Sequence, residues 1–209
     1  MALSPIAALA AVDAVRQHFA QRLKAGKESA DVALELDNIL TLLAGVDFAK
    51  PDKKHLQASG HPVIRQLQQV GASAENDNVL AAFLPHLGDL PWRYSYEPRP
   101  DAPDIGERMA WAELVGPIAP FKSKKVCIGL TAIGAGLLYP AHNHPAVETY
   151  LVLSGTARWT ANGITQAHPP GTLILHPSNI THAMEATNEP LLAAYAWTGE
   201  VETLSTYQE

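Results

Sequence analysis

The residues that punctuate helices and those that favour strands are concentrated in one part of this chain. Of its 16 prolines only three precede residue 85, and of its 14 glycines only four, whereas every tryptophan and every tyrosine follows it. Aromatic and turn-forming residues together favour short strands joined by tight turns, and their scarcity upstream leaves that part to helix formers. The chain therefore divides into a helical N-terminal lobe, 1–84, and a turn-rich β segment, 85–209. Its 209 residues suffice for one domain of ordinary to large size, or for one domain with an appended lobe. An apolar fraction of 47% against 17% charged residues closes a hydrophobic core without staples.

Within the first segment, Ile6, Leu9, Val12, Phe19 and Leu23 recur near the helical period. Val32, Leu36, Ile39, Leu40 and Leu43 form a second run, which Gly45 stops. Pro62 at a first turn and Gly71 after a last one bracket a short third helix, and a fourth is expected from about Glu75 to Leu84. The lobe contains no cluster of chemically competent side chains, so packing or oligomerisation is its expected role. Beyond Pro85, strand-forming runs arrive at short intervals, at 92–96, 109–115, 126–133, 147–153, 156–161, 172–175 and 191–197. Such spacing predicts a sandwich or barrel. Asn162-Gly163 predicts a tight hairpin, because both central positions of that turn need positive φ.

Charge and cysteine content exclude several functions. With 15 Lys and Arg against 21 Asp and Glu the net charge is −6, which disfavours a nucleic-acid partner because phosphate contacts need clustered cations. Cys127 stands alone, so any metal must be held by nitrogen and oxygen, and its own expected role is that of a small buried apolar residue. No apolar run approaches the roughly 18 to 20 residues that span a bilayer, so no membrane association is expected. The opening MALSPIAALAAVDAV lacks a basic residue ahead of its apolar run and is broken by Asp13, so it reads as a helix rather than a signal peptide and favours a cytoplasmic location.

The chemistry concentrates in GLLYPAHNHPAVETYLVLSG, residues 136–155, and GTLILHPSNITHAMEA, residues 171–186. His142, His144, Glu148 and Tyr150 are all even-numbered, so an extended 142–150 projects all four from one face. A further imidazole, His182, arriving from a neighbouring strand completes a nitrogen-and-oxygen set with open positions, suited to a catalytic divalent metal. Iron, manganese, zinc, nickel and cobalt all suit three histidines and a glutamate. His18, His55, His61, His86, His168 and His176 stand outside this pattern and are expected to be structural.

The first of these segments resembles the first signature of the cupin superfamily: glycine, five residues, His-x-His, a short spacer, glutamate, six residues, glycine. The second is similar to the second cupin signature through Gly171, Pro177 and His182, with Asn179 where glycine is usual and Ala186 where asparagine is usual. Asn179 can adopt the left-handed turn, and the position of Ala186 is not a ligand in the family pattern. The resemblance implies a single cupin, a double-stranded β-helix or jelly-roll barrel, carrying an α-helical N-terminal lobe. Tyr139 and Tyr150 beside the motif, together with that lobe, resemble the cupin-type dimethylsulfoniopropionate (DMSP) lyases. Those enzymes cleave DMSP to dimethyl sulfide and acrylate.

Carried over, the resemblance implies His144, Glu148 and His182 as ligands, His142 as a ligand or pocket residue, Tyr150 as the base and Tyr139 as its assistant. A proton α to a carboxylate is a poor acid, and a divalent metal offsets the charge that develops when it leaves. The sulfonium of such a small zwitterionic substrate is suited to aromatic faces, with Trp197 the first candidate and Trp159 behind it. A monomer or homodimer is expected. Two other readings use the same ligands: a different metal-dependent cupin enzyme, such as a dioxygenase or isomerase, and a non-catalytic small-molecule-binding cupin. Oxygen consumption marks a dioxygenase, and binding without turnover marks a sensor.

Overall fold

The computed structural model describes residues 2–70, 78–96, 100 and 102–208. Helix α1 (Pro5–Ala25) begins where Ser4 accepts the amide of Ala7 and Pro5 occupies the first turn; Gly26, at φ 63°, ends it. Helix α2 (Ala30–Ala44) is capped by Ser29, which accepts the amide of Val32, and it stops at Gly45 as expected. The third expected helix is instead 3-10, Pro62–Gln69, and its expected stop at Gly71 lies outside the described residues. A further helix is present as α3 (Asn78–Phe83), while Glu75 lies outside the described residues. A single turn, α4 (Ile105–Arg108), leads into the strands.

Those strands are β1 (Met109–Gly116), β2 (Phe121–Lys122), β3 (Val126–Ile133), β4 (Leu138–Asn143), β5 (Val147–Ser154), β6 (Ala157–Ala161), β7 (Ile164–His168), β8 (Leu173–His176), β9 (His182–Ala186), β10 (Leu191–Thr198) and β11 (Thr206–Tyr207). They form a six-stranded sheet, β2-β1-β3-β10-β5-β8, and a five-stranded sheet, β11-β4-β9-β6-β7. Tyr150, Val152 and Tyr195 of the first sheet share a buried cluster with Tyr139, Trp159 and Met184 of the second, so the sheets face each other as a jelly-roll barrel. The fold is mainly β with an N-terminal helical lobe, as the cupin signatures imply.

Alternate residues of the six-stranded sheet leave the barrel interior and pack on the helices. Ile128 and Leu130 of β3, Leu151 and Leu153 of β5, and Leu192 and Ala194 of β10 share one core with Val12, Val15 and Phe19 of α1 and with Leu36, Ile39 and Leu43 of α2. With both faces covered, β3 is buried at every position, and its apolar residues run nearly uninterrupted. Strand β7, by contrast, is exposed along most of its length. Asn162 and Gly163 turn between β6 and β7 with φ of 50° and 75°, the geometry expected of that hairpin.

Two expectations about strands are corrected. The run 92–96 is not a strand; Arg93 alone makes an isolated antiparallel bridge, to Trp111 of β1. Residues 142–150 are not one extended segment either. The chain bends at Pro145 and Ala146, with β4 on one side in the five-stranded sheet and β5 on the other in the six-stranded sheet. Proline lacks an amide hydrogen and cannot continue a ladder at that point. The four even-numbered side chains therefore meet because two sheets face each other, not because they share one strand face.

Candidate metal centre

Strand pairing delivers each side chain to the centre. His142 on β4 lies directly opposite His182 on β9, their ring centroids 4.1 Å apart. Glu148 on β5 is flanked by Trp197 of β10 on one side and His176 of β8 on the other. His144, just past the end of β4, stacks on the Trp197 ring at 4.2 Å. His142, His144, Glu148 and His182 are each 1–2% exposed.

The three imidazoles are oriented in the same way. Nδ1 of His142 donates to the Pro140 carbonyl at 2.8 Å, that of His144 to Ala146 at 3.0 Å, and that of His182 to Ile180 at 2.9 Å. A carbonyl only accepts, so each Nδ1 carries a hydrogen, and Nε2 is the atom each ring can offer to the centre. One ring nitrogen from each histidine lies within 4.8 Å of the others, a spacing open to a metal ion. Glu148 Oε2 sits 3.0 Å from Nε2 of His144 and 3.3 Å from Nε2 of His182, and the latter nitrogen has no hydrogen-bond partner among the described residues. Lone pairs and a carboxylate gathered in a buried space need a positive species between them, either a proton or a cation. Burial works against charge on Glu148, yet the neighbouring His144 and His182 hold its carboxyl well below the usual range. Burial and His182 lower His142 to about 3, which leaves it neutral and fit to ligate. The donor set fits a divalent transition metal with open positions.

The remaining expected residues divide. Tyr150 is 3% exposed and lines the cavity together with Glu148 and Thr131. Tyr139 stacks on His142 at 3.9 Å, and its hydroxyl lies 2.5 Å from that of Tyr96. Trp197 donates its indole N–H to Glu148 Oε1 at 2.5 Å while lining the cavity beside it. Trp159 does not reach that cavity: it is 2% exposed, packs on Tyr150 and donates to Nε2 of His176 at 2.9 Å. His176, read as structural, stacks on His182 at 4.1 Å and thus buttresses a candidate ligand.

A cavity of about 340 Å³ opens from this centre. Its wall includes Glu148, Tyr150 and Tyr139, then Tyr195, Trp197 and Trp111, and also Arg93 and Glu113. Sequence reasoning missed Tyr96, Arg93 and Glu113. The parity of Tyr94 and Tyr96 hinted at a shared face, but no local pattern ties an arginine at 93 to a glutamate at 113.

The facing sheets and the three-histidine, one-glutamate group define a cupin with a candidate metal centre. The chain belongs to the dimethylsulfoniopropionate lyase family, whose model matches residues 37–193. It is similar to the DMSP lyase DddQ of Ruegeria pomeroyi, 35% identical over 135 residues, or 61% of this chain and 65% of that protein. It is also similar to the putative DMSP lyase DddL of Cereibacter sphaeroides, 33% identical over 120 residues, or 56% of this chain and 50% of the relative. The matched stretch thus spans less than two thirds of either curated relative. Among solved structures, DddQ from Ruegeria pomeroyi superimposes with a TM-score of 0.72 at 25% identity, over 92% of this chain and 95% of that one. A crystal structure from work on the DMSP lyases RdDddP and RnDddQII gives a TM-score of 0.77 at 25% identity, over 99% of this chain and all of that one.

Proposed function

We propose that this protein cleaves DMSP to dimethyl sulfide and acrylate by β-elimination, with Tyr150 as the base. The observation that carries the proposal is the position of Tyr150, buried in the wall of the cavity that Glu148 also lines, next to the three-imidazole group. Family membership and the likeness to DddQ support the same substrate. Burial, followed by the Glu148 charge, pushes the Tyr150 phenol well above its ordinary value, so the hydroxyl needs a nearby positive charge before it can act as a base. A divalent transition metal held by His142, His144, Glu148 and His182 would supply that charge and act as a Lewis acid toward the substrate carboxylate.

Tyr150 then takes the proton from the carbon α to the carboxylate. The electron pair left behind forms the C=C bond of acrylate as the C–S bond breaks. Dimethyl sulfide departs neutral with the bonding pair, so no general acid is required. Tyr139, hydrogen-bonded to Tyr96 and stacked on His142, assists by holding the rim of the pocket. Trp197, which lines the cavity, is the aromatic group offered to the sulfonium, a contact worth roughly 0.5 to 2 kcal/mol depending on desolvation. The indole N–H is meanwhile committed to Glu148, so one side chain orients both a candidate ligand and the substrate.

Anaerobic incubation of metal-loaded protein with DMSP tests the proposal. Dimethyl sulfide in the headspace with acrylate in solution is the expected result. Turnover that requires and consumes oxygen instead makes the protein a dioxygenase.

A further inference from the structure

The candidate ligands and the candidate base are divided between the two sheets. His142 and His182 lie on β4 and β9 of the five-stranded sheet, with His144 just beyond β4, whereas Glu148 and Tyr150 lie on β5 of the six-stranded sheet. A donor set split in this way keeps its spacing only while the sheets keep theirs, and a productive site tolerates displacements of only about 0.5 Å. Trp159 and His176 tie the sheets together beside the centre. Trp159, on β6 of the five-stranded sheet, donates its indole N–H to Nε2 of His176, on β8 of the six-stranded sheet, at 2.9 Å.

Each partner of that hydrogen bond also touches one side chain of the centre that belongs to the opposite sheet. The His176 ring lies on the His182 ring, with centroids 4.1 Å apart and planes 16° from parallel. The Trp159 ring packs against Tyr150 at 4.9 Å. Strand register accounts for both contacts. His176 stands opposite Glu148, two residues before Tyr150, and Trp159 stands opposite Met184, two residues after His182, so period-two alternation turns all of them to the barrel interior.

Histidine at 176 carries a cost that stacking alone does not explain. An indole N–H only donates, so Nε2 of His176 accepts and Nδ1 carries the hydrogen of a neutral ring. That Nδ1 is buried and has no hydrogen-bond partner among the described residues. An apolar ring would stack on His182 without burying an unpaired donor, whereas only a ring with an acceptor can hold Trp159. Both side chains are buried and neither lines the cavity, so neither reaches the substrate.

We propose that Trp159 and His176 are positioning residues, whose hydrogen bond across the sheets fixes the ring of His182 as a metal ligand and the ring of Tyr150 beside it. The inference rests on the metal-centre reading through His182, and on the lyase reading only through Tyr150.

Cobalt(II) binding to metal-free protein, measured by competition with a chromophoric chelator and by the visible spectrum of the loaded protein, tests the pair without relying on turnover. Trp159→Phe keeps a ring against Tyr150 and deletes the donor; His176→Phe keeps a ring against His182 and deletes the acceptor. Each should weaken cobalt binding about 10- to 100-fold and shift the visible bands, with far-UV circular dichroism retained. The double variant should lose no more than either single variant, because both remove one shared hydrogen bond. Leu36→Ala destabilises the outer core and should leave cobalt affinity unchanged, which separates positioning from a general loss of stability. In a DMSP assay of the loaded variants, kcat should fall while KM holds. Wild-type affinity and spectrum in folded Trp159→Phe and His176→Phe overturn the proposal, as does a loss that Leu36→Ala reproduces. Wild-type protein that takes up no cobalt overturns it together with the metal-centre reading. If the variants lose cobalt affinity while wild-type protein releases no dimethyl sulfide with any metal, the lyase reading fails and the hold on His182 stands.

Discussion

At the scale of the residue, the candidate centre depends on a hydrogen-bond arrangement that commits each Nδ1 to a backbone carbonyl and leaves the three Nε2 atoms to face Glu148 and one another. If a metal ion is the species they hold, His144→Ala, Glu148→Ala and His182→Ala each lower bound metal and activity together, as elemental analysis and a turnover assay will report. Tyr150→Phe separates chemistry from assembly, because it keeps the ring and deletes only the hydroxyl. Metal content and thermal midpoint should hold while the chemical step falls by about 10² to 10⁴-fold, and substrate deuterated at the α-carbon should react more slowly in the wild type where proton removal limits the rate. His142, His144, Glu148 and His182 were legible in the sequence because ligand spacing is local and the pairing of β4 with β9 follows from the second motif. Arg93, Tyr96 and Glu113 were not, since they enter the cavity through a lone bridge and a six-stranded register that no short spacing records.

At the scale of the element, strands β3, β5 and β10 are covered on both faces, by the barrel interior on one side and by α1 and α2 on the other. Their continuous apolar runs marked them as strands, but the outer cover became visible only once the helices were placed. Leu36 of α2 is fully buried in that layer. Leu36→Ala should cost about 2 to 5 kcal/mol, read as a fall in the denaturation midpoint with metal content unchanged. In the β6–β7 hairpin, Gly163 has φ of 75°, and a Cβ added there would meet nothing within 4 Å among the described residues. Gly163→Ala should therefore cost about 1 to 2 kcal/mol from backbone conformation alone and leave turnover intact. The bend between β4 and β5 was the misread element. Parity predicted the right face for the wrong reason, because Pro145 breaks the strand and two sheets restore the convergence.

At the scale of the whole molecule, one apolar core joins the helices to the six-stranded sheet, and a second fills the barrel around the candidate centre. The fold therefore has its own support, and metal removal should leave far-UV circular dichroism nearly unchanged. Loss of the β signal on chelation would make the metal structural instead. Whether the buried histidine and glutamate group of this cupin carries a metal-dependent elimination is decided by measuring dimethyl sulfide and acrylate from one preparation before chelation, after it, and after each metal is restored. Equal amounts of the two products are predicted before chelation and after restoration of a competent metal, with none from the chelated protein. Undiminished release from fully chelated protein, or no release with any of the metals, would rule that chemistry out.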